Sequence, residues 1–227
     1  MLGVYDEPVE GWDGQIQSSV SDDFADLEGE WGFLIESTYM APGLFLSSQA
    51  WRDGRQHKED SLRRLRFAAP FISVQRDHGE GEVAIDADGN SVVRWSLEDD
   101  VDRRLFTRAH VELCKIHRAA GAKEIYTTHA EGLRWDEGGD FDAFVARVES
   151  ASYESNDVAV FTAHQLGSCR MGSDPALAVA DGRGRLHDTD GVWIGDASAF
   201  PTASGVNPMI SVMALAHRTA ENILNDS

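Results

Sequence analysis

The longest periodic stretch of the sequence is a helix. Apolar residues recur at Leu97, Val101, Leu105, Ala109, Leu113 and Ile116, and Gly121 closes the run. Steps of three and four line one face of an α-helix. Ser96 is the expected N-cap, with Asp99 at the capping-box position, and Gly121 is a natural C-terminal stop. A helix with a single apolar face must bury it against a sheet or other helices. What flanks it therefore decides the fold class.

The flanks read as strands. Residues 31–40 (WGFLIESTYM) and 67–76 (FAAPFISVQR) are apolar, β-rich runs, and 124–128 (EIYTT) is a shorter one. Residues 82–95 read as a hairpin, with Asp88-Gly89-Asn90 as its turn. A second helix is expected over 140–150, with Phe141, Phe144, Val145 and Val148 on one face. The first 30 residues are polar and Gly/Asp-rich and read as irregular. The pattern predicts an α+β fold, an antiparallel sheet with helices packed on one face. We place one domain at 1–160 and a C-terminal segment at 161–227.

Charge narrows the partners. The 227 residues carry 39 acids against 20 bases, a formal net charge of −19. The bases are almost all Arg and the acids mostly Asp. Phosphate backbones and anionic bilayers call for basic patches, so no nucleic-acid partner is expected. An Asp-rich, Lys-poor surface fits a salt-rich cytoplasm, and coding bias in a GC-rich genome accounts for it equally well. Two cysteines, Cys114 and Cys169, do not make a disulfide framework. No apolar run reaches the roughly 18 residues of a membrane span. The opening residues lack the n-region and h-region of a signal peptide, so a cytoplasmic location is expected.

The C-terminal 65 or so residues differ in kind. They contain the block AHQLGSCRMG, then DGRGRLHDTDGVWIGDAS, then FPTASGVNPM. In the first, His164 precedes a tight Gly167-Ser168 turn that suits a side chain aimed into a cavity, and histidine suits proton transfer near neutral pH. In the second, Val192 to Ser198 reads as a short buried strand ending on the acid Asp196. In the third, Asn207 can cap a helix whose first position is Pro208. Met209, Val212, Met213, Ala216, Ala220, Ile223 and Leu224 form the stripe expected to be buried. A helix N-terminus so fixed offers free N–H groups and a positive dipole end to an oxygen that becomes negative. Singly, each residue has a structural explanation: an N-cap for Asn207, a turn cap for Asp196, a buried small side chain for Cys169. His187 and His217 are read as structural.

In order and spacing, the three blocks resemble the C-terminal signature of the glucose–methanol–choline (GMC) flavoprotein oxidoreductases, most of all the long-chain alcohol oxidase and dehydrogenase branch. DADGNSVVRWSLEDDVDRRLF and AAGAKEI resemble the family's substrate domain more loosely. The resemblance implies FAD as cofactor and a small-molecule alcohol as substrate, oxidised at its CH–OH group by proton abstraction and hydride transfer to flavin. It makes His164 the catalytic base and Asn207 the residue that hydrogen-bonds the substrate oxygen. It sets Asp196 and Ala197 against the ribityl and phosphate region, and Asn207, Pro208 and Met209 against the isoalloxazine ring. No metal site is expected.

One part of the family pattern is missing. GMC proteins are longer and begin with a strand, a Gly-x-Gly-x-x-Gly turn and a helix that seat the FAD pyrophosphate. Gly79-Glu80-Gly81 and Gly182-Arg183-Gly184 lack the third glycine and the strand–turn–helix setting. The C-terminal strand–helix segment is thus one that normally completes an FAD-binding domain. Two readings follow: a portion completed by a separate or missing N-terminal FAD-binding domain, or a truncated, non-catalytic remnant. The first predicts an exposed apolar surface where that domain would sit.

Overall fold

A computed structural model of the chain describes residues 1–48 and 54–226. Their contacts fall into two units: residues 1–75 with 96–160, and residues 76–95 with 161–227.

The first unit is built on a six-stranded antiparallel sheet. Its strands are β1 (Leu2–Val4), β2 (Val20–Ser21), β3 (Phe33–Ser37) and β4 (Ala68–Gln75), with two more, β7 (Glu124–Tyr126) and β8 (Arg134–Asp136), after the hairpin strands β5 (Glu82–Ile85) and β6 (Ser91–Arg94). The order across the sheet is β2-β3-β4-β1-β7-β8. Two short helices, α1 (Pro42–Ser48) and α2 (Arg55–Arg64), lie between β3 and β4 in sequence.

The expected strands at 31–40 and 67–76 are β3 and β4, paired in register from Phe33–Gln75 to Ser37–Phe71. The N-terminal stretch corrects its reading as wholly irregular. Leu2–Val4 is buried and pairs with β4 on one side and β7 on the other. Three residues are too few to show a period of two, but backbone pairing on both edges holds them centrally in the sheet.

The long helix is α3 (Asp100–Ala119). Its cap is Asp99 rather than Ser96, since the Asp99 carboxylate accepts from the backbone N–H groups of Val101 and Asp102 at 2.8 and 3.1 Å. A carboxylate also favours the positive helix end, which a serine cannot match. Gly121 closes the helix as expected, at φ +87°, where a side chain would be strained. There the Ala122 N–H reaches back to the His117 carbonyl at 3.0 Å, the longer bond of a Schellman closure. Leu105, Ala109 and Leu113 face the sheet and are buried. Helix α4 (Phe141–Glu149), capped by Asp140, buries Phe144 and Val148 among Val111, Cys114, Ile125, Leu133 and Trp135.

The second unit holds the hairpin β5–β6 and the C-terminal stretch, which ends in α5 (Met209–Asp226). The hairpin forms as read, with Asp86 accepting from the backbone N–H groups of Asp88 and Asn90 across the turn. Among the described residues no helix is long and apolar enough to cross a membrane.

Candidate active site

All the site residues read from the sequence lie in the second unit, and its backbone ties their blocks together. The loop after His164 runs beside a single turn of 3-10 helix at Ala197–Ala199. Cys169 and Met171 donate their N–H groups to the carbonyls of Ser198 and Ala199 at 3.0 and 2.9 Å, and Gly167 donates to Ala197 at 3.4 Å. Asp196 caps that turn. Its Oδ1 accepts from the Ser198 N–H at 2.8 Å and from the Ser198 hydroxyl at 2.5 Å.

This corrects the expected buried strand at 192–198. Val192 and Asp196 are exposed, Trp193 and Ile194 are half-buried, and the only ladder contact there is an isolated bridge from Trp193 to Arg185. An apolar run needs a partner strand to become a strand, and here the facing residues pair only briefly, Leu186 N–H to the Val192 carbonyl at 3.1 Å and Ile194 N–H to the Gly184 carbonyl at 2.7 Å, before the bend set by Asp181. Its carboxylate accepts from the N–H groups of Arg183 and Arg185 at 2.8 and 3.0 Å, which folds the facing residues into a tight turn. Gly184, at φ +94°, takes the apex. A Cβ there would come within 2.8 Å of the Ile194 carbonyl and the Thr219 hydroxyl.

Thr219 joins this loop to α5, its hydroxyl donating to the Ile194 carbonyl at 3.2 Å. The Asn222 side-chain amide donates to the Arg183 carbonyl at 2.9 Å. The helix is therefore moored in its C-terminal half, and its N-terminal end carries Pro208 and Met209. The Pro208 carbonyl accepts the first helical bond, from Val212 at 2.8 Å. Pro208 is buried and Asn207 is exposed. His164 is half-buried, and Cys169 is half-buried rather than fully so. Both cysteines are free thiols. His187 bonds the Gly172 carbonyl at 3.0 Å, in keeping with a structural role.

The face of α5 that packs overlaps the expected stripe only at Val212 and Ala216. Leu215 and Thr219 are buried, with Val212, Ala216 and Asn222 beside them. Met209 and Leu224, both from the predicted stripe, are 68% and 77% exposed, and Ile210, Met213 and Ile223 are exposed as well. Periodicity marks a face as apolar without saying what covers it.

Comparison with known proteins settles the family. The family profile described as GMC oxidoreductase matches residues 77–216. The chain belongs to the GMC oxidoreductases. It is 34% identical over 197 residues to the long-chain-alcohol oxidase FAO1 of Arabidopsis thaliana, across 83% of this chain and 25% of that protein. Against the long-chain-alcohol oxidase FAO4A of the same plant it is 30% identical, across 85% of this chain and 26% of the relative. The chain thus spans about a quarter of the curated relatives it matches. Pyridoxine 4-oxidase from Mesorbium loti shares the fold, with a TM-score of 0.59 at 18% identity, over 97% of this chain and 40% of that one.

Two features escaped the sequence reading. One is the mooring of α5 through Thr219 and Asn222. The other is the backbone ladder between the His164 loop and residues 197–199. The first carried a faint signal, two polar residues three apart along the edge of the apolar stripe. The second is made of main-chain groups and has no residue signature.

Proposed function

We propose that this chain forms the substrate side of an FAD-dependent alcohol oxidoreductase, acting on CH–OH groups, with the main cofactor cradle supplied by an FAD-binding domain outside these 227 residues. What carries the reading is the joining of the three signature blocks: the His164 loop is bonded to the turn that Asp196 caps, and α5 is moored to the loop before it.

The residues present fit the isoalloxazine end of FAD. The N-terminal N–H groups of α5 are at an exposed helix end, with the positive pole that favours an anionic ring. They do not supply the pyrophosphate seat, for which a glycine-rich strand–turn–helix is needed. Bound FAD supplies the hydride acceptor. His164 takes the proton of the substrate hydroxyl. Asn207, at the start of α5, hydrogen-bonds the same oxygen and orients the carbinol carbon. Asp196 holds the turn that carries the ladder through Oδ1, and with Ala197, the first residue of that turn, it meets the ribityl and phosphate region of the flavin.

Long-chain alcohols are the substrate class the similar plant oxidases suggest. The exposed apolar stripe of α5, together with Val83, Ile85, Val93 and Trp95 on the hairpin, supports a partner domain. For location we propose the cytoplasm, on the strong negative charge.

Reconstitution tests the proposal. The chain is joined to, or mixed with, the FAD-binding portion of a GMC relative. Gain of flavin absorbance and alcohol-dependent dye reduction is the expected result. His164→Ala should then lower turnover by about 100-fold or more, as for loss of a general base, with flavin still bound. A complex that never acquires flavin refutes the role of partial site, and an unchanged rate in the variant refutes the base.

A further inference from the structure

We propose that Thr219 is a positioning residue of the active site, its hydroxyl setting where the N-terminal end of α5 stands relative to the turn that Asp196 caps. This rests on the function proposed above, in which Asn207, Pro208 and Met209 meet the flavin ring and Asp196 and Ala197 its ribityl and phosphate region. Thr219 lies outside the three signature blocks and ten residues beyond Met209, so it acts through the helix.

Threonine is a poor helix former, and in mid-helix its hydroxyl ordinarily turns back to the carbonyl four residues earlier. The hydroxyl of Thr219 instead leaves the helix and donates to the Ile194 carbonyl at 3.2 Å. Along α5 only Leu215 and Thr219 are buried, Thr219 at 3% exposure. The space it fills exists because residue 184 is glycine. A Cβ at Gly184 would stand 2.8 Å from the Thr219 hydroxyl and 3.1 Å from its methyl. Gly195 lies against the same side chain, where a Cβ would just touch the methyl at 3.8 Å. Ile194 and Gly195 lead directly into Asp196, so the bond joins α5 to the main chain two residues before the cap.

Two further ties continue along the same face of the helix. The Asn222 amide donates to the Arg183 carbonyl at 2.9 Å, and the Asp226 carboxylate meets the Arg183 guanidinium at 2.7 Å. Residues 219, 222 and 226 are three and four apart, the spacing of one helix face. Both of the later ties end on Arg183, and of the three only the Thr219 bond reaches the segment that leads into Asp196. Geometry then magnifies a small error. From Thr219 to Met209 is about 15 Å along the axis, at about 1.5 Å per residue. A tilt of about 5° at Thr219 carries the helix end by about 1.3 Å, and a misplacement of about 1 Å costs about 100-fold in rate.

The test reads the helix and the site separately, with Thr219→Val, which keeps the size and removes the donor, and Thr219→Ser, which keeps the donor. In the whole chain without flavin, NMR residual dipolar couplings give the direction of the N–H groups of residues 209–214 relative to those of 195–199. Thr219→Val should reorient the first set with the helix still formed, and Thr219→Ser should recover the parent values. In the complex reconstituted with FAD, Thr219→Val should lower turnover per bound flavin about tenfold or more. The flavin midpoint potential should fall too, because the positive helix end no longer meets the anionic ring squarely. A merely structural role would reduce the amount of flavin bound and leave both of these unchanged. Unmoved couplings, or parent-like turnover per flavin in Thr219→Val, overturn the proposal. A parent complex that takes up no flavin strikes the function on which the proposal rests, and the proposal with it, whereas unmoved couplings strike the positioning alone. If Thr219→Val fails to fold, Thr219→Ala, which empties the space beside Gly184, is measured in the same way.

Discussion

The two units of this chain handle apolar side chains in opposite ways. The first gathers them into four clusters, around Ile125, Met40, Phe33 and Phe106. In the second, the buried apolar residues among those described are Ala180, Ala199, Pro208 and Leu215, while Val83, Ile85, Leu177, Ile210 and Leu224 are exposed. What holds the second unit is mainly hydrogen bonding in turns and loops. Such bonds contribute modestly to stability, about 0.5–1.5 kcal/mol each, but they fix geometry closely. Burial of apolar area is the larger favourable term. Stability thus resides mostly in one unit and the candidate chemistry in the other.

Truncating a core residue in each unit is the harshest trial of this contrast. Phe33→Ala removes a fully buried ring from beneath α3 and should cost about 3–5 kcal/mol. Leu215→Ala, in the second unit, sits beside half-buried neighbours that can close in, and should cost about 2 kcal/mol. Urea midpoints at constant m-value measure both. Equal losses would break the comparison.

A pH titration probes the first unit alone. His117 is fully buried, and burial pushes its pKa down to about 3. Its Nδ1 lies 2.9 Å from the Tyr5 hydroxyl, itself pushed up to about 12 by burial, so the phenol donates and the imidazole stays neutral. The unfolded chain binds this proton near pH 6.5 and the folded chain does not. Stability from this group is therefore complete above about pH 6.5 and falls as pH drops toward about 3, by roughly 1.4 kcal/mol per unit. His117→Phe should make that part of the profile less steep by its own share, with His110, also pushed down to about 3 by burial, keeping a comparable one. A profile as steep in the variant as in the parent would move the acid sensitivity elsewhere.

Legibility in the sequence follows the same divide. Helices α3 and α4 were readable because their apolar faces are covered by their own unit, so pattern and burial agree. β1 was not, because Leu2–Val4 is held by neighbours distant in sequence. In the second unit, residues 192–198 have the composition of a strand but face a turn folded by Asp181. The α5 stripe is apolar as expected, but only Val212 and Ala216 of it are half-buried, while Met209, Met213, Ile223 and Leu224 are exposed. The candidate site was legible through its blocks, His164, Asp196–Ala197 and Asn207–Met209, since their side chains and order carry the resemblance. The backbone ladder that links the first two carries no such mark.

Loss of the Asp196 cap is a smaller perturbation with a local signature. Asp196→Ala removes two bonds to Ser198 and should cost about 1 kcal/mol, as other caps do. Amide exchange should quicken at Cys169 and Met171, whose N–H groups reach the turn Asp196 holds, and stay unchanged at α3. Uniform quickening would mean that the ladder is not a local unit.

The smallest effect on stability is expected at side chains that are large, apolar and mostly exposed. Met213→Ser and Leu224→Ser remove exposed apolar groups from α5, and each should change the unfolding free energy by no more than about 0.5 kcal/mol. The same substitutions should lower self-association, read by sedimentation, because the stripe no longer presents continuous apolar surface. In the reconstituted enzyme they should instead weaken the hold on the FAD-binding portion. A substitution that unfolds the chain would show the stripe to be packed, and one that leaves both association and reconstitution untouched would show it to be idle. Only a face that is exposed in this chain and covered in the complete enzyme gives silence in the first measurement and a loss in the last.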